Sequence, residues 1–274
     1  MALIALDLDI VDRPAMDVEA SSAARRQRGT ADGAASALVL RAVRRVVRAA
    51  DAQSPCRVLD VGGGSGVWAV PLAAEGAVLT VVDPSPDALA SLSRRAREAG
   101  VLERVTAVQG DVDCLGELVS AGAADLVLAH GVLEVVEDLP RAMSALVSAL
   151  APGGMLSVLV AGKAAAVLHR ALVGRVAEAL QVLTDPAGRV GPRDPLLRRF
   201  DVEGLSTLLA DSGLEVDLIQ GVSVVADLIA SSALETASGG AAALAELESA
   251  ASSTAALREI ASRLHAVARL PVTG

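Results

Sequence analysis

Short apolar runs alternate with amphipathic stretches along this chain from residue 56 onward. The runs predict strands at 56–61, 77–82, 104–108, 124–129 and 155–161, and the stretches between them predict helices at 66–75, 86–99 and 139–150. Strands that alternate with helices form a parallel sheet covered on both faces, so the pattern predicts an α/β fold. Right-handed crossovers then bring the carboxyl ends of the strands to one edge, where ligands bind.

The segments that flank this alternation are less regular. A helix is predicted at 33–50, preceded by a flexible N-terminal arm at 1–30, so that the main domain covers 31–274. After the fifth strand comes a helical stretch at 164–182 and a loop rich in proline and glycine at 184–195, and we interpret 163–200 as an insertion that covers an acceptor site. The pattern then predicts a helix at 201–213, a strand at 214–219, a broken alanine-rich helix at 226–256 and a last strand at 265–270.

The strongest motif is the turn that follows the first strand. Val58-Leu59-Asp60-Val61 leads into glycines at Gly62, Gly63, Gly64 and Gly66, and the second strand ends at Asp83. Glycines allow a backbone to pass close to a ligand, and a carboxylate at a strand tip can accept hydrogen bonds from a ribose diol. The spacing alone also fits a dinucleotide site. The loop, however, lacks G-x-G-x-x-G and carries an acid, which suits a cationic ligand better than a pyrophosphate.

This loop resembles motif I of the class I S-adenosylmethionine (SAM) methyltransferases. The resemblance implies a Rossmann-like, seven-stranded, mostly parallel sheet with an antiparallel last strand and helices on both faces. It also implies that SAM is the cofactor and S-adenosylhomocysteine the product. The implied cofactor-binding residues are these: Asp60 at the amino group, the four glycines of the loop, Asp83 and Pro84 at the ribose, Asp111 and Val112 at the adenine, and His130 near the methyl group.

A narrower resemblance is to the bacterial methyltransferases that esterify carboxymethoxyuridine at the tRNA wobble position. The segments that carry it are Val58–Gly64, His130–Val136, Leu150–Ser157, Pro192–Pro195 and Ile260–Arg269. It implies that a modified tRNA uridine is the acceptor. The alternatives are a small-molecule O-methyltransferase, a DNA methyltransferase and a non-catalytic binding protein with the same fold.

Two residues are candidates for the chemistry. A carboxylate acceptor is already nucleophilic and needs only in-line approach and a cation, for which Arg193 is the candidate. A hydroxyl or enol acceptor needs a base, and His130 is best placed. The chain has no Asp/Asn-Pro-Pro-aromatic turn after the fourth strand, and Pro55-Cys56 precedes the first strand, so the two usual DNA-methylating arrangements are disfavoured.

Composition limits the partners. The net charge is −9, with one Phe, one Trp and no Tyr, which argues against a broad basic or stacking surface for nucleic acid. Two cysteines make neither a disulfide framework nor a zinc set, and no metal site is predicted. Without a signal peptide or an apolar run long enough to span a membrane, we expect a cytoplasmic protein, as a monomer or homodimer.

Overall fold

The computed structural model describes residues 37–48, 54–229 and 240–272 and contains a seven-stranded sheet in the order β3-β2-β1-β4-β5-β7-β6. The strands are β1 (Arg57–Val61), β2 (Val78–Asp83), β3 (Val105–Gln109), β4 (Ala124–His130), β5 (Leu150–Ala161), β6 (Glu215–Val222) and β7 (Arg263–Arg269). Strands β1 to β5 are parallel, and β7 lies antiparallel between β5 and β6. The predicted fold class is therefore confirmed. The proposed arm at 1–30 lies outside the described residues.

Helices cover both faces of this sheet. They are α1 (37–48), α2 (Ala69–Ala74), α3 (Pro86–Glu98), α4 (Leu115–Leu118), α5 (Leu139–Ser148), α6 (Lys163–Leu172), α7 (Val176–Thr184), α8 (Val202–Asp211), α9 (Gly240–Ser253) and α10 (Ala255–Arg258). Apolar side chains of α1, α2 and α3 form one buried cluster, and those of α5, α8 and α9 form a second. No helix in the described part of the chain is both long and apolar enough to cross a bilayer.

Several predicted boundaries differ from the structure. Strand β6 ends at Val222 instead of residue 219, and β7 starts at Arg263 instead of residue 265. The stretch predicted as one helix at 164–182 is two helices, because Gly174 between them adopts a left-handed φ of 77°. The helix predicted from residue 66 begins only at Ala69, since the glycine loop continues as turns up to that point. Strand β5 begins at Leu150 and absorbs the predicted Pro-Gly-Gly turn as an irregularity in its pairing with β4.

The carboxyl ends of the parallel strands form one edge of the sheet. Asp83 and His130 are the last residues of β2 and β4. Because β7 runs antiparallel, it starts at this same edge, where Arg263 pairs with Ala161 at the end of β5. The edge therefore gathers side chains that are more than 100 residues apart in the sequence.

The segment 163–200, all of which is described, contains α6, α7 and a loop instead of a further strand. The loop is fastened at several points. Lys163 Nζ donates to the carbonyl of Asp185 at 2.9 Å, and Asp194 forms a buried ion pair with Arg199 at 2.7 Å. Arg198 Nη1 donates to the carbonyls of Leu133 and Val136, both at 2.6 Å. These last bonds tie the insertion to the loop that follows β4.

Candidate functional site

The glycine loop holds the backbone close to the first two strand ends. Gly62 adopts a φ of 70°, and its N–H donates to the carbonyl of Val82 at 2.8 Å. A Cβ on Gly63 would lie 2.5 Å from the carboxylate of Asp60, closer than a real side chain can approach. Glycine is therefore required at 63 by contact and at 62 by backbone conformation.

Asp60 lies beneath this loop as an isolated buried acid. Its residue is 1% exposed, and neither carboxylate oxygen has a hydrogen-bond partner among the described residues. Burial, with a further contribution from the negative charge of Asp83, raises the pKa of Asp60 to about 7. An unpaired buried carboxylate is costly, so this position favours a cationic ligand, held directly or through a water molecule.

Asp83 is fixed at the tip of β2 by two backbone donors. The Gly64 N–H donates to Oδ2 at 2.8 Å, and the Ser85 N–H donates to Oδ1 at 2.9 Å. Each carboxylate oxygen can accept more than one hydrogen bond, so both retain acceptor capacity for a ligand. The same two bonds couple the orientation of Asp83 to the shape of the glycine loop.

A cavity of about 460 Å³ opens at this edge of the sheet. Five of the predicted cofactor residues line it, namely Gly62, Asp83, Pro84, Asp111 and Val112. Asp111 Oδ1 also accepts from the N–H groups of Asp113 and Cys114 at 3.0 and 3.3 Å. Its carboxylate therefore caps a 3-10 turn, while the other oxygen remains available to a ligand.

His130 sits next to Gly131, which lines the cavity, and its ring is held on two sides. Nε2 is 2.9 Å from Ser157 Oγ, and the ring packs edge to face against Trp68 with centroids 4.9 Å apart. Nδ1 is completely buried and has no partner among the described residues. Burial, the neighbouring His265 and the charge of Arg263 together hold the pKa of His130 well below its usual range. The ring is therefore neutral at pH 7.

The structure places Arg193 away from the other predicted site residues at this edge of the sheet. Its side chain is exposed on the insertion loop, it does not line the cavity, and the described residues offer it no hydrogen bond or ion pair. Arg263 stands at the edge itself, and its charge lowers the pKa of His130 and opposes the rise that burial causes in the pKa of Glu134. Sequence reasoning missed Arg263 because its place depends on the register of the antiparallel strand β7.

Trp68 and Ser157 were also missed. Trp68 is the residue before α2, and only the turn of the glycine loop brings it against His130. Ser157 lies in the middle of an apolar strand and is fully buried. A buried serine among apolar neighbours was the one available signal, since a buried hydroxyl requires a partner.

The residues present fit SAM. The cofactor carries an ammonium group, which the unpaired carboxylate of Asp60 would hold, and a ribose diol, for which Asp83 retains acceptor capacity. Asp111 and Val112, which line the same cavity, would then contact the adenine. The other five of the ten predicted cofactor residues, namely Asp60, Gly63, Gly64, Gly66 and His130, do not line the cavity directly.

Comparison with known proteins agrees with the assignment of a SAM-binding site. The family model described as "Methyltransferase domain" matches residues 29–219. The tRNA 5-carboxymethoxyuridine methyltransferase of Escherichia coli K12 is 32% identical over 121 residues, which cover 43% of this chain and 45% of that protein. A ubiquinone biosynthesis O-methyltransferase of Methylobacterium nodulans is 36% identical over 103 residues, covering 36% of this chain and 38% of that protein. These matches thus span less than half the length of either relative.

Solved structures share the fold. A SAM-dependent methyltransferase from Mesorhizobium loti aligns with a TM-score of 0.56 at 20% identity, covering 87% of this chain and 99% of that chain. The [4+2]-cyclase SpnF aligns with the same TM-score at 23% identity, covering 85% of this chain and 82% of that chain. The family match, the sheet order and the glycine loop together establish that this chain belongs to the methyltransferase domain family and has the class I SAM-dependent methyltransferase fold.

Proposed function

We propose that this protein transfers the methyl group of SAM to an oxygen atom of its acceptor. The observation that carries the cofactor assignment is the buried carboxylate of Asp60, which has no hydrogen-bond partner among the described residues and lies directly under the glycine loop. A structural acid in a tight turn would instead be bonded to nearby N–H groups, as Asp83 and Asp111 are. When bound, SAM supplies an electrophilic methyl group on a sulfonium.

The residues of the chain then bind the cofactor, orient the acceptor and exclude water from the site. Asp60 neutralises the ammonium group of the cofactor. Asp83 holds the ribose and also fixes the backbone of the glycine loop beside it. The insertion, tied to the loop after β4 by Arg198, covers the side from which an acceptor would approach. Such covers exclude water and hold the acceptor in line with the methyl group.

A carboxylate on a modified tRNA uridine is the acceptor we favour. Two observations support it: the similarity to the tRNA 5-carboxymethoxyuridine methyltransferase, and the His130–Glu134 segment at the site, which carries the resemblance to that family in the sequence. A small-molecule oxygen is the second candidate, supported by the similarity to the ubiquinone biosynthesis O-methyltransferases and by the net charge of −9, which disfavours extended RNA contacts.

An anionic acceptor requires a cation near the methyl group. Arg193 is the candidate from the sequence, and Arg263 is the candidate from the structure. Neither arginine lines the cavity, but we favour Arg263, because it starts β7 at the ligand edge and its charge acts on both His130 and Glu134. It is exposed and has no ion-pair partner within the described part of the chain, so its guanidinium is available to an anion.

The test is transfer of tritium from methyl-labelled SAM to fractionated tRNA, genomic DNA or a small-molecule extract. We expect label in the tRNA fraction, sensitive to ribonuclease. Mild alkali should then release it as volatile methanol, because a methyl ester hydrolyses and an ether does not. The Asp60→Asn variant at pH 8 is the matched control for cofactor dependence. Alkali-stable label would exclude a carboxylate acceptor, and label confined to the small-molecule extract would exclude tRNA.

A further inference from the structure

A buried chain of polar side chains runs from His130 across the sheet. Ser157 Oγ lies 2.9 Å from His130 Nε2 and 2.8 Å from His265 Nε2. His265 Nδ1 lies 3.0 Å from Gln220 Nε2, and Gln220 Nε2 lies 3.4 Å from the carbonyl oxygen of Leu38 in α1. Ser157 and His265 are fully buried, and Gln220 is 8% exposed. The chain therefore links α1 to the candidate site through β6, β7, β5 and β4.

Strand pairing explains why these side chains meet. His130 and His265 both pair with Leu159 of β5, and Gln220 pairs with His265. Ser157 is two residues from Leu159, so all four side chains project from the same face of the sheet. That face is the one covered by α1, which supplies the carbonyl of Leu38.

The partners determine the direction of each hydrogen bond. A carbonyl oxygen only accepts, so the nitrogen of the Gln220 amide must face Leu38, and its second proton is donated to His265 Nδ1. Burial lowers the pKa of His265 to about 3, so this ring is neutral and carries its single proton on Nε2. It donates that proton to Ser157, whose own hydroxyl proton is then donated to His130 Nε2.

His130 is therefore left with its proton on Nδ1. This nitrogen is buried and has no partner among the described residues, although a buried donor without an acceptor is costly. We propose that Ser157, His265 and Gln220 are positioning residues that hold His130 as a hydrogen-bond donor, through Nδ1–H, to a carboxylate oxygen in the bound complex. The carboxylate belongs either to the methionine part of the cofactor or to the acceptor, and this inference rests on the proposed function.

The proposal has a consequence for the chemistry. The lone pair of His130 Nε2 is occupied by the Ser157 hydroxyl, and Nδ1 carries a proton, so His130 has no free lone pair with which to act as a base. His130 therefore cannot deprotonate a hydroxyl acceptor, and this favours an acceptor oxygen that is already ionised. A carboxylate satisfies this condition at pH 7, and an aliphatic hydroxyl does not.

The direct test is the tautomer of each histidine, measured by long-range ¹H–¹⁵N correlation NMR on the full chain labelled with ¹⁵N-histidine. The chain has three histidines, so the spectrum is simple, and His130→Gln and His265→Gln assign it. At pH 7 we expect His130 as the Nδ1–H form and His265 as the Nε2–H form. Observation of His130 as the Nε2–H form, or as a charged ring, would overturn the proposal.

Variants of Ser157 separate positioning from folding. Ser157→Ala should release His130 to the Nε2–H form that a free imidazole side chain prefers, while Ser157→Thr, which keeps the hydroxyl, should retain the Nδ1–H form. Ser206→Ala is the matched control, since that hydroxyl donates to the Val202 carbonyl within α8. An unchanged His130 tautomer in folded Ser157→Ala would show that the hydroxyl does not set it, against the proposal.

The source of the carboxylate is tested by titrating the same labelled protein. A shift of the His130 Nδ1 signal with S-adenosylhomocysteine, but not with its decarboxylated analogue, would assign the donor to the cofactor. A shift that requires acetate in addition to S-adenosylhomocysteine would assign it to the acceptor. No shift with either would refute the donor role. Calorimetry with S-adenosylhomocysteine tests the proposed function separately, because binding can succeed whichever tautomer is found.

Discussion

Asp60 makes cofactor binding sensitive to pH near neutrality. Its pKa is raised to about 7 in the free protein by burial and by Asp83, whereas an adjacent ammonium group would favour the ionised form and lower that pKa. Below pH 7 the proton must leave before the ligand binds. We therefore predict that the affinity for S-adenosylhomocysteine falls about tenfold between pH 8 and pH 6, as measured by calorimetry. Asp60→Asn should bind more weakly at pH 8 and show no such slope; a slope that survives in this variant would assign it to another group.

Asp83 combines a ligand contact with support of the loop. Replacement by alanine removes a charged acceptor that also holds the N–H groups of Gly64 and Ser85. We predict that Asp83→Ala weakens cofactor binding by about 1–3 kcal/mol, the range for loss of a charged hydrogen-bond partner. Calorimetry measures this loss. Asp87→Ala, a change at an exposed acid in the first turn of α3, is the control and should leave the affinity unchanged. Equal affinities in wild type and Asp83→Ala would remove this residue from the site.

Arginine substitutions distinguish the two candidate cations. If Arg263 holds an anionic acceptor, Arg263→Ala should lower kcat/KM by about two orders of magnitude with unchanged SAM affinity, as expected for a charged contact. Arg263→Lys should recover little activity if the contact is bidentate. Arg193→Ala should have a smaller effect, and Arg97→Ala, at an exposed position of α3, none. A loss confined to Arg193→Ala would place the anion site on the insertion loop.

At the scale of elements, features that depend on local sequence were predicted better than features that depend on long-range strand pairing. The first four strands end within a residue of their predicted positions, because apolar runs and glycine turns are local signals. The break at Gly174 was missed, since alanine and leucine on both sides continue a helical pattern. The partners of His130 could not be predicted either, because Ser157 and His265 reach it only through the pairing of β5 with β4 and β7.

A buried ion pair is one of the contacts that fasten the insertion loop. The side chains of Asp194 and Arg199 are 1% and 7% exposed, and Asp194 also accepts from the N–H groups of Val190 and Leu196. Removal of one partner leaves the other charge buried and unpaired. We predict that Asp194→Ala lowers the free energy of unfolding at pH 7 by about 3 kcal/mol, from denaturant or thermal melts. Glu98→Ala, which removes an exposed pair with Arg94, should change it by no more than about 0.5 kcal/mol.

The same variant gives a pH test with a defined sign. Burial opposes the shift, but the bonds from Arg199, Val190 and Leu196 together hold the pKa of Asp194 well below its usual range. A depressed pKa in the folded state contributes stability above the unfolded pKa of about 4, and this stability is lost as the pH falls further. The difference between wild type and Asp194→Ala should therefore shrink in acid. A difference that stays constant from pH 7 to pH 3 would show that packing, not charge, fastens the loop.

At the scale of the whole molecule, the site is kept at a cost in stability. Eight buried side-chain polar atoms in the described part of the chain have no hydrogen-bond partner, and four of them lie along one edge of the sheet: both carboxylate oxygens of Asp60, Nδ1 of His130 and Oε2 of Glu134. Buried polar atoms are normally satisfied, and their concentration at one edge is typical of a binding site completed by its ligand. The rest of the sheet, packed by the two apolar clusters on its faces, supplies the stability that tolerates them.

This cost is measurable in the protein without cofactor. The pKa of Asp60 is about 4 in the unfolded chain and is raised to about 7 in the folded protein. Burial of this side chain therefore costs least below pH 4, where it is protonated in both states, and the wild type loses stability as the pH rises to 7. We predict that Asp60→Asn is more stable than wild type at pH 8 by about 2–4 kcal/mol, with little difference at pH 4, from thermal melts. Saturating S-adenosylhomocysteine should narrow the gap, because ligand binding stabilises wild type more than the variant. A variant less stable than wild type at pH 8 would mean that the carboxylate is already paired in the free protein, and the case for a cation site under the glycine loop would fail.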